Sequence, residues 1–575
     1  MANRPYEDTQ TPPDFLIVGG GTAGAVLAAR LSESGRHRVL LIEAGIDTPP
    51  DQTPADIDDT FPSSTLNPAY FWSGLEATVV KGGQPRPFPQ ARVMGGGSSI
   101  MGMFALRGVP SDFERWSAAG APGWSWDKAA RLYRKIERDP ARAAASNGTT
   151  PIKRMATDEW PAFVTALREA ALARGFPYVD DINEAPGDGF FPMPSSRDDI
   201  VRSTSARCYL SAAVRRRPNL TISANTRALR LLFDGRRVIG VEVERDGIVT
   251  PLHARRVIVS AGAIHSPALL LRSGIGPAAE LSSLGVQPVV DLRGVGRNLQ
   301  NHAYQFFALT LPRRKRLALH LRRFAVAGLR ASSNLPDCPA SDLLLFAIGR
   351  VSPRAFGTDV AMVGSALYAP FSRGLVTLAQ ADPRANPRID FRMLDDPRDA
   401  PRVVMAARLA EQLLRDPAVA ASYSEAFLLP PGMALNQFNR PGLAGLALAA
   451  GARLALNAPG PLRRLAVRRA IGASMPLAAR RGKHEITDDE LLATIAPMGH
   501  PVGTCAMGDP RNPDTVVDGD YRVGGVEHLY VVDASVMPVI PSANTNLPTL
   551  MLAEHAAERI LHALERTPQT MLGDV

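Results

Sequence analysis

Residues 14–43 restrict the architecture of this chain more than any other segment. Residues 14–18, ending Leu16-Ile17-Val18, form a short apolar run that reads as a buried strand. The run breaks at Gly19-Gly20-Gly21-Thr22-Ala23-Gly24, which fits G-x-G-x-x-G through Gly19, Gly21 and Gly24. Residues 25–31 then read as a small-residue helix, and residues 38–42 as a second strand ending at Glu43. Each part has a mechanical reason. Gly19 permits the tight turn, Gly21 lets backbone approach a pyrophosphate, and Gly24 lets helix and sheet pack closely. The helix N-terminus offers free N–H groups and partial positive charge to phosphate. Glu43 stands where a carboxylate accepts hydrogen bonds from a ribose diol. A bare glycine triplet is often only a flexible turn, but here strand, helix and carboxylate all stand at the required spacing. The unit predicts a dinucleotide site and leaves open whether the nucleotide is NAD or FAD.

At 575 residues and 45% hydrophobic content, the chain is long enough for a large core and two domains. Its net charge of +9 is concentrated in Arg-rich stretches, chiefly 312–330 and 463–483. Neither interleaves aromatic with basic residues as a base-stacking surface would. Solvated surface is therefore the expectation, nucleic acid is disfavoured, and membrane-surface or partner docking is a minority reading. Cys208, Cys338 and Cys505 are too scattered for a disulfide framework or a zinc cluster. No metal site is expected, and a reducing, cytoplasmic setting is. Residues 1–13 show no secretory pattern. No apolar run reaches bilayer length; the nearest, 441–456, reads as a buried or amphipathic helix.

Further strands come late, at 220–223, 238–243, 256–260 and 529–533, followed by a helix over 549–564. The nucleotide domain is therefore expected to be discontinuous, built from 1–150, 201–304 and 491–575. Residues 151–200 and 305–490 are expected to form a second domain lying over the cofactor.

Four more segments carry chemistry. They are Arg92-Val93-Met94-Gly95-Gly96-Gly97-Ser98-Ser99 reaching to Gly108, Gly262-Ala263-Ile264-His265-Ser266-Pro267 running to Gly276, Gly294-Val295-Gly296-Arg297-Asn298-Leu299 with His302 behind it, and a C-terminal set. That set is His500-Pro501-Val502-Gly503, Asp533-Ala534, and Asn544-Thr545-Asn546-Leu547-Pro548. Together, and in this order from residue 14 to about 562, they resemble the glucose–methanol–choline (GMC) family of FAD-dependent oxidoreductases. Within the family the chain looks most like the 5-(hydroxymethyl)furfural oxidase and aryl-alcohol oxidase branch, through residues 42–49 and 542–549.

The resemblance implies an α/β (overall α+β) fold: a Rossmann-like FAD domain and a substrate domain on an antiparallel sheet covered by helices. It implies FAD rather than NAD, a small alcohol substrate, and O₂ or an electron carrier as acceptor. It implies that His500 takes the alcohol proton and that Asn546 holds the substrate oxygen. A neutral imidazole suits the first task and an amide donor the second. It also implies FAD contacts from Gly19, Gly21, Thr22, Ala23, Gly24, Glu43, Ala44, Arg92, Gly95, Gly96, Ser98, Met101, Ala228, Asp533, Ala534 and Asn546. The competing reading of Asn546 is a cap on the helix that follows. His302 and His265 read as structural, and Cys505 as a small buried hydrophobe.

The chain departs from the family pattern at several places. Met101 replaces a frequent Asn. Ile100 stands where some choline-oxidising members carry a flavin-linking His, so non-covalent FAD is expected and choline is disfavoured. Asn301 replaces Asp before His302. Gly499, where the branch can carry Trp, is expected to give a substrate ring more room. A quinone- or carrier-linked dehydrogenase and a non-redox lyase or photodecarboxylase remain alternatives, and the number of subunits is open.

Overall fold

The computed structural model describes residues 12–140, 147–430, 438–439, 442–471 and 486–566. The two strands foreseen at the start, Phe15–Val18 and Val39–Ile42, are buried at every position, as strands covered on both faces must be. They lie in a five-stranded sheet ordered Leu529–Val531, Val257–Val259, Phe15–Val18, Val39–Ile42, Leu220–Ser223, in which every neighbouring pair is parallel. The helix Thr22–Leu31 crosses between the first two strands. It packs on the long C-terminal helix Asn546–Arg566, where Arg30 pairs with Glu554 at 2.9 Å.

One foreseen strand belongs elsewhere. Residues 238–243 fall within Arg237–Arg245, the centre of a separate antiparallel meander with Arg227–Asp234 and Ile248–His253. Alternation identifies a strand but says nothing about its partner.

The second large sheet is antiparallel. Its order is Glu425–Leu428, Ala303–Thr310, Val360–Leu367, Leu343–Ile348, Ala325–Ala331, Gly189–Pro192, with Ala496–Pro497 also paired to Ala303–Thr310. Alternate residues divide between its faces. Phe307, Leu309, Leu345 and Ala347 pack with the helices Ala162–Ala173 and Asp399–Leu414. Phe306, Ala308, Phe346 and Ile348 point the other way, into a cluster with Phe104 and Phe324. That second face forms the wall of the site described below.

The basic stretch 463–483 is described only in part. A helix covers Gly460–Ile471, and residues 472–485 lie outside the described residues. The segment expected as a buried or amphipathic helix is the helix Gly442–Asn457, which lies mostly exposed: Gly445 and Ala449 are buried and Ala452 and Leu456 pack partly against the core.

Candidate active site

A single cavity runs from the end of the strand Phe15–Val18 to the face of the antiparallel sheet. At one end two glycine turns meet. A Cβ on Gly96 would lie 2.9 Å from Gly21 Cα, and one on Gly24 only 1.9 Å from Gly19 O, so neither position tolerates a side chain. Gly19, Gly95 and Gly96 also hold positive φ of 103°, 85° and 54°. The Gly95 N–H donates to Gly20 O at 2.8 Å, locking the two turns together. The helix Thr22–Leu31 has no side-chain cap at its N-terminus, which leaves its first N–H groups for a ligand.

Gly19, Gly21, Thr22, Ala23, Glu43, Ala44, Gly96, Ser98, Met101, Ala228, Asp533, Ala534 and Asn546 all border this cavity. Gly24, Arg92 and Gly95 do not; they shape its walls. Arg92 Nε donates to Ala44 O at 3.1 Å, and its guanidinium lies over Trp72. Glu43 accepts from the N–H groups of Gly20 and Gly45, both at 2.8 Å, and burial raises its pKa. Asp533 accepts from Gly262 N at 2.8 Å and Ser266 Oγ at 2.5 Å, tying the start of the helix Gly262–Arg272 to the end of the sheet. His265 packs on Trp72 in a tilted ring pair with centroids 4.3 Å apart at this end.

These features fit the adenosine and pyrophosphate of FAD: crowded glycine backbones, uncapped helix donors and a carboxylate at the end of the second strand. Ile100 is fully buried with Ile57 and Val93 and does not border the cavity.

At the other end stands His500. Its half-buried ring borders the cavity, and desolvation by the surrounding protein lowers its pKa to about 3, so the imidazole is neutral. Here the structure corrects the sequence reading. Asn544, not Asn546, meets His500, with Nδ2 at 3.0 Å from Nε2. Asn546 is the first residue of the C-terminal helix, and its Oδ1 accepts from Thr22 Oγ1 at 2.9 Å, beside the glycine turn. The helix start turns the second Asn of Asn-Thr-Asn toward the nucleotide and leaves the first in the lead-in segment facing the histidine.

Two further residues complete the group. Tyr368 donates to Asn544 Oδ1 at 3.0 Å, which turns the amide NH₂ toward His500. His302, expected to be structural, lies with Nδ1 at 3.0 Å from His500 Nδ1 and stacks on Tyr368 at 4.2 Å. Asn301 makes use of its departure from Asp: its Nδ2 donates to Met498 O at 2.6 Å, two residues before His500.

Phe104, Phe306, Phe324, Phe346 and Tyr304 wall the space beyond His500. Neighbouring rings meet at 5.0–6.3 Å between centroids. Sequence reasoning missed this chamber, because its rings come from distant segments. Among the described residues that line the cavity, the only carboxylates are Glu43 and Asp533, both at the nucleotide end. The room expected beside Gly499 is already taken: a Cβ there would lie 2.8 Å from Met101 Cε. Met101, in place of Asn, fills the space that Gly499 leaves.

The same cavity is lined by the glycine cradle at one end and His500 at the other, so the nucleotide site and the proton-accepting site share one space. Fold and site define an FAD-dependent oxidoreductase. Models of the GMC oxidoreductase family match residues 13–304 and 370–553, and the chain belongs to that family. It is 37% identical to 5-(hydroxymethyl)furfural oxidase of Methylovorus sp. (strain MP688), over 96% of this chain and 99% of that one. It is 31% identical to an oxygen-dependent choline dehydrogenase of Brucella suis biovar 1 (strain 1330), over 96% of each. The crystal structure of pyridoxine 4-oxidase from Mesorbium loti superposes with a TM-score of 0.76 at 28% identity, covering 96% of this chain and 99% of that one. A fungal aryl-alcohol oxidase shares the fold, with a TM-score of 0.73 at 22% identity over 97% and 100% of the two chains.

Proposed function

We propose that this enzyme oxidises neutral primary alcohols carried on aromatic or furan rings to aldehydes, and the aldehyde hydrates onward to acids, with O₂ as acceptor. The observation that carries this reading is the ring-walled chamber, with no carboxylate among its described lining residues, that opens onto the His500–Asn544 pair. Flat apolar rings gain from edge and face contacts with such walls. The relatives support it: one is named for a furanic alcohol, and others are named as oxidases or as oxygen-dependent.

Bound FAD supplies the hydride acceptor, and the protein supplies position and proton transfer. His500 Nε2, free of a proton, accepts the hydroxyl proton as the C–H bond weakens. The Asn544 N–H that meets Nε2 gives way to the alcohol and donates to the same oxygen as negative charge grows on it. Asn546 and Thr22, with the turns at Gly19–Gly24 and Gly95–Gly96, hold the cofactor near its pyrophosphate. Glu43, Ala44, Arg92 and Ala228 serve the adenosine end. Ser98, Met101, Asp533 and Ala534 line the stretch between. We place no covalent link on FAD, since Ile100 offers no nitrogen for one. Cys208, Cys338 and Cys505 are all unpaired, which supports a reducing, cytoplasmic setting.

The test is a panel of benzylic, furanic, aliphatic and choline alcohols, run with O₂ and then with an artificial dye. Ring-bearing alcohols should show the highest kcat/KM, with O₂ consumed. Faster turnover of choline would overturn the substrate class. Turnover supported by the dye alone would overturn the acceptor.

A further inference from the structure

Between Glu425 and Glu485 the chain contains nine Arg and Lys residues and no Asp or Glu. The whole protein carries a net charge of +9, so this one stretch accounts for the entire excess. Its described part is a pair of helices, Gly442–Asn457 and Gly460–Ile471, packed on each other.

The first helix is apolar on its outer side, where an ordinary surface helix is polar. Gly445 and Ala449 face the protein, with Ala452 and Leu456 packed partly behind them, while four of its leucines face out, Leu443 being 85% exposed and Leu454 77%. Leu446, Leu448, Leu462 and Leu465 are exposed as well. These 28 residues therefore hold six of the fourteen exposed large apolar side chains among the described residues. Arg464 and Arg469 are exposed on the second helix. Clustered apolar exposure of this kind marks an interaction surface.

We infer that this helical pair docks on the surface of a bilayer containing anionic phospholipid, leucines in the headgroup–acyl boundary and arginines on the phosphates. Leucine with arginine is the side-chain chemistry of an interfacial helix. A helix of 16 residues is about 24 Å long, short of the roughly 30 Å hydrocarbon core, so it lies on the membrane and does not cross it. No described helix is long and apolar enough to cross. A second copy of the chain fits less well, because a two-fold contact would set the arginines against their own counterparts. Nucleic acid has no use for bare leucines. The inner face explains why this position is useful. Ala449 and Val467 pack in the same cluster as Phe104, Phe346 and Ile348, so docking would hold the substrate chamber close to the membrane.

The experiment mixes holoenzyme with phosphatidylcholine vesicles, with and without phosphatidylglycerol, and measures the fraction sedimented. Wild type should sediment with the anionic vesicles and be released as salt is raised. Leu443→Ser/Leu454→Ser and Arg464→Glu/Arg469→Glu should each weaken partition by about tenfold or more. Both variants should turn over benzyl alcohol at the wild-type rate, which shows that they are folded. Wild type left in the supernatant overturns the proposal, as does sedimentation indifferent to phosphatidylglycerol, salt and both variants. A dimer in light scattering that the leucine variant abolishes, without vesicle binding, reassigns the surface to a second copy. Salt-sensitive binding to duplex DNA without vesicle binding reassigns it to nucleic acid.

Discussion

His302 Nδ1 lies 3.0 Å from His500 Nδ1, on the side of the ring opposite the Asn544 amide that sets which nitrogen of His500 is basic. Because Tyr368 donates to Asn544 Oδ1, the amide donates to His500 Nε2, which must therefore lack a proton. The proton of neutral His500 is then on Nδ1 and points at His302. His302 is fully buried, and burial with the neighbouring His500 holds its pKa well below the ordinary value. It therefore stays a neutral acceptor while His500 gains a proton.

His302 acts as a positioning residue. His302→Phe keeps a ring against Tyr368 and removes the acceptor. A hydrogen bond to a group that becomes charged is worth about 1.5–3 kcal/mol, so kcat should fall roughly 10- to 100-fold. KM and FAD content should stay near wild type, which a packing defect would not allow, and His302→Gln should recover part of the rate. A kcat within threefold of wild type for His302→Phe removes the role.

The two asparagines should separate cleanly. Asn544→Ala removes the donor beside His500 and should lower kcat by about 10²-fold with FAD retained. Asn546→Ala removes the partner of Thr22 and should lower the FAD released by acid per polypeptide, with a smaller loss of rate per bound FAD. His500→Ala should cost about 10²–10⁴-fold in kcat, again with FAD bound. If Asn546→Ala has the larger effect on rate per flavin, the substrate oxygen belongs to Asn546 after all.

The nucleotide end was legible because local spacing dictates it: Gly19, Gly21, Gly24 and Glu43 act within thirty residues of each other. His500 was legible only through its motif, since an imidazole by itself implies nothing. The choice between Asn544 and Asn546 was not legible. It depends on Tyr368, 176 residues earlier, and on the helix beginning at Asn546. The same reason hid the chamber, where Phe104, Phe306, Phe324 and Phe346 converge from separate segments. Strand periodicity found residues 238–243 but not their sheet, because an alternating pattern records burial and not pairing.

Acid should separate activity from stability. His500, with a pKa of about 3, is in its basic form throughout the neutral range, so the acid limb of kcat/KM should lie well below the ordinary 6.5. Stability behaves differently. His265 and His555 are also held at about 3, and His302 well below its ordinary value, all chiefly by burial. The unfolded chain protonates these groups near 6.5, so it binds more protons than the native state below that pH. Their stabilisation is complete above pH 6.5 and is lost as pH falls toward 3. Glu43 and Asp533, raised by burial, act in the opposite sense, and the histidines outnumber them. The Tm of the holoenzyme should therefore drop from about pH 7 to pH 5 while initial kcat/KM holds. A level or rising Tm, or an acid limb at 6.5, contradicts the buried neutral histidines.

Substrate size should be governed by Met101 and Gly499 jointly. The Met101 side chain occupies the space over Gly499, with its Cε only 2.8 Å from where a Cβ would stand. A flexible methionine yields to a methyl group, so Gly499→Ala should be mild. An indole cannot share the space, so Gly499→Trp should reduce kcat/KM for all ring alcohols, most for the bulkiest. Met101→Ala should do the reverse and raise the ratio of kcat/KM for a bulky benzylic alcohol over benzyl alcohol. The decisive measurement is the double variant. Residues in contact show non-additive effects, so Met101→Ala/Gly499→Trp should recover much of what Gly499→Trp loses. Strict additivity across this cycle would mean that the two side chains do not share one space, and that substrate size is set instead by the rings of Phe104, Phe306, Phe324 and Phe346.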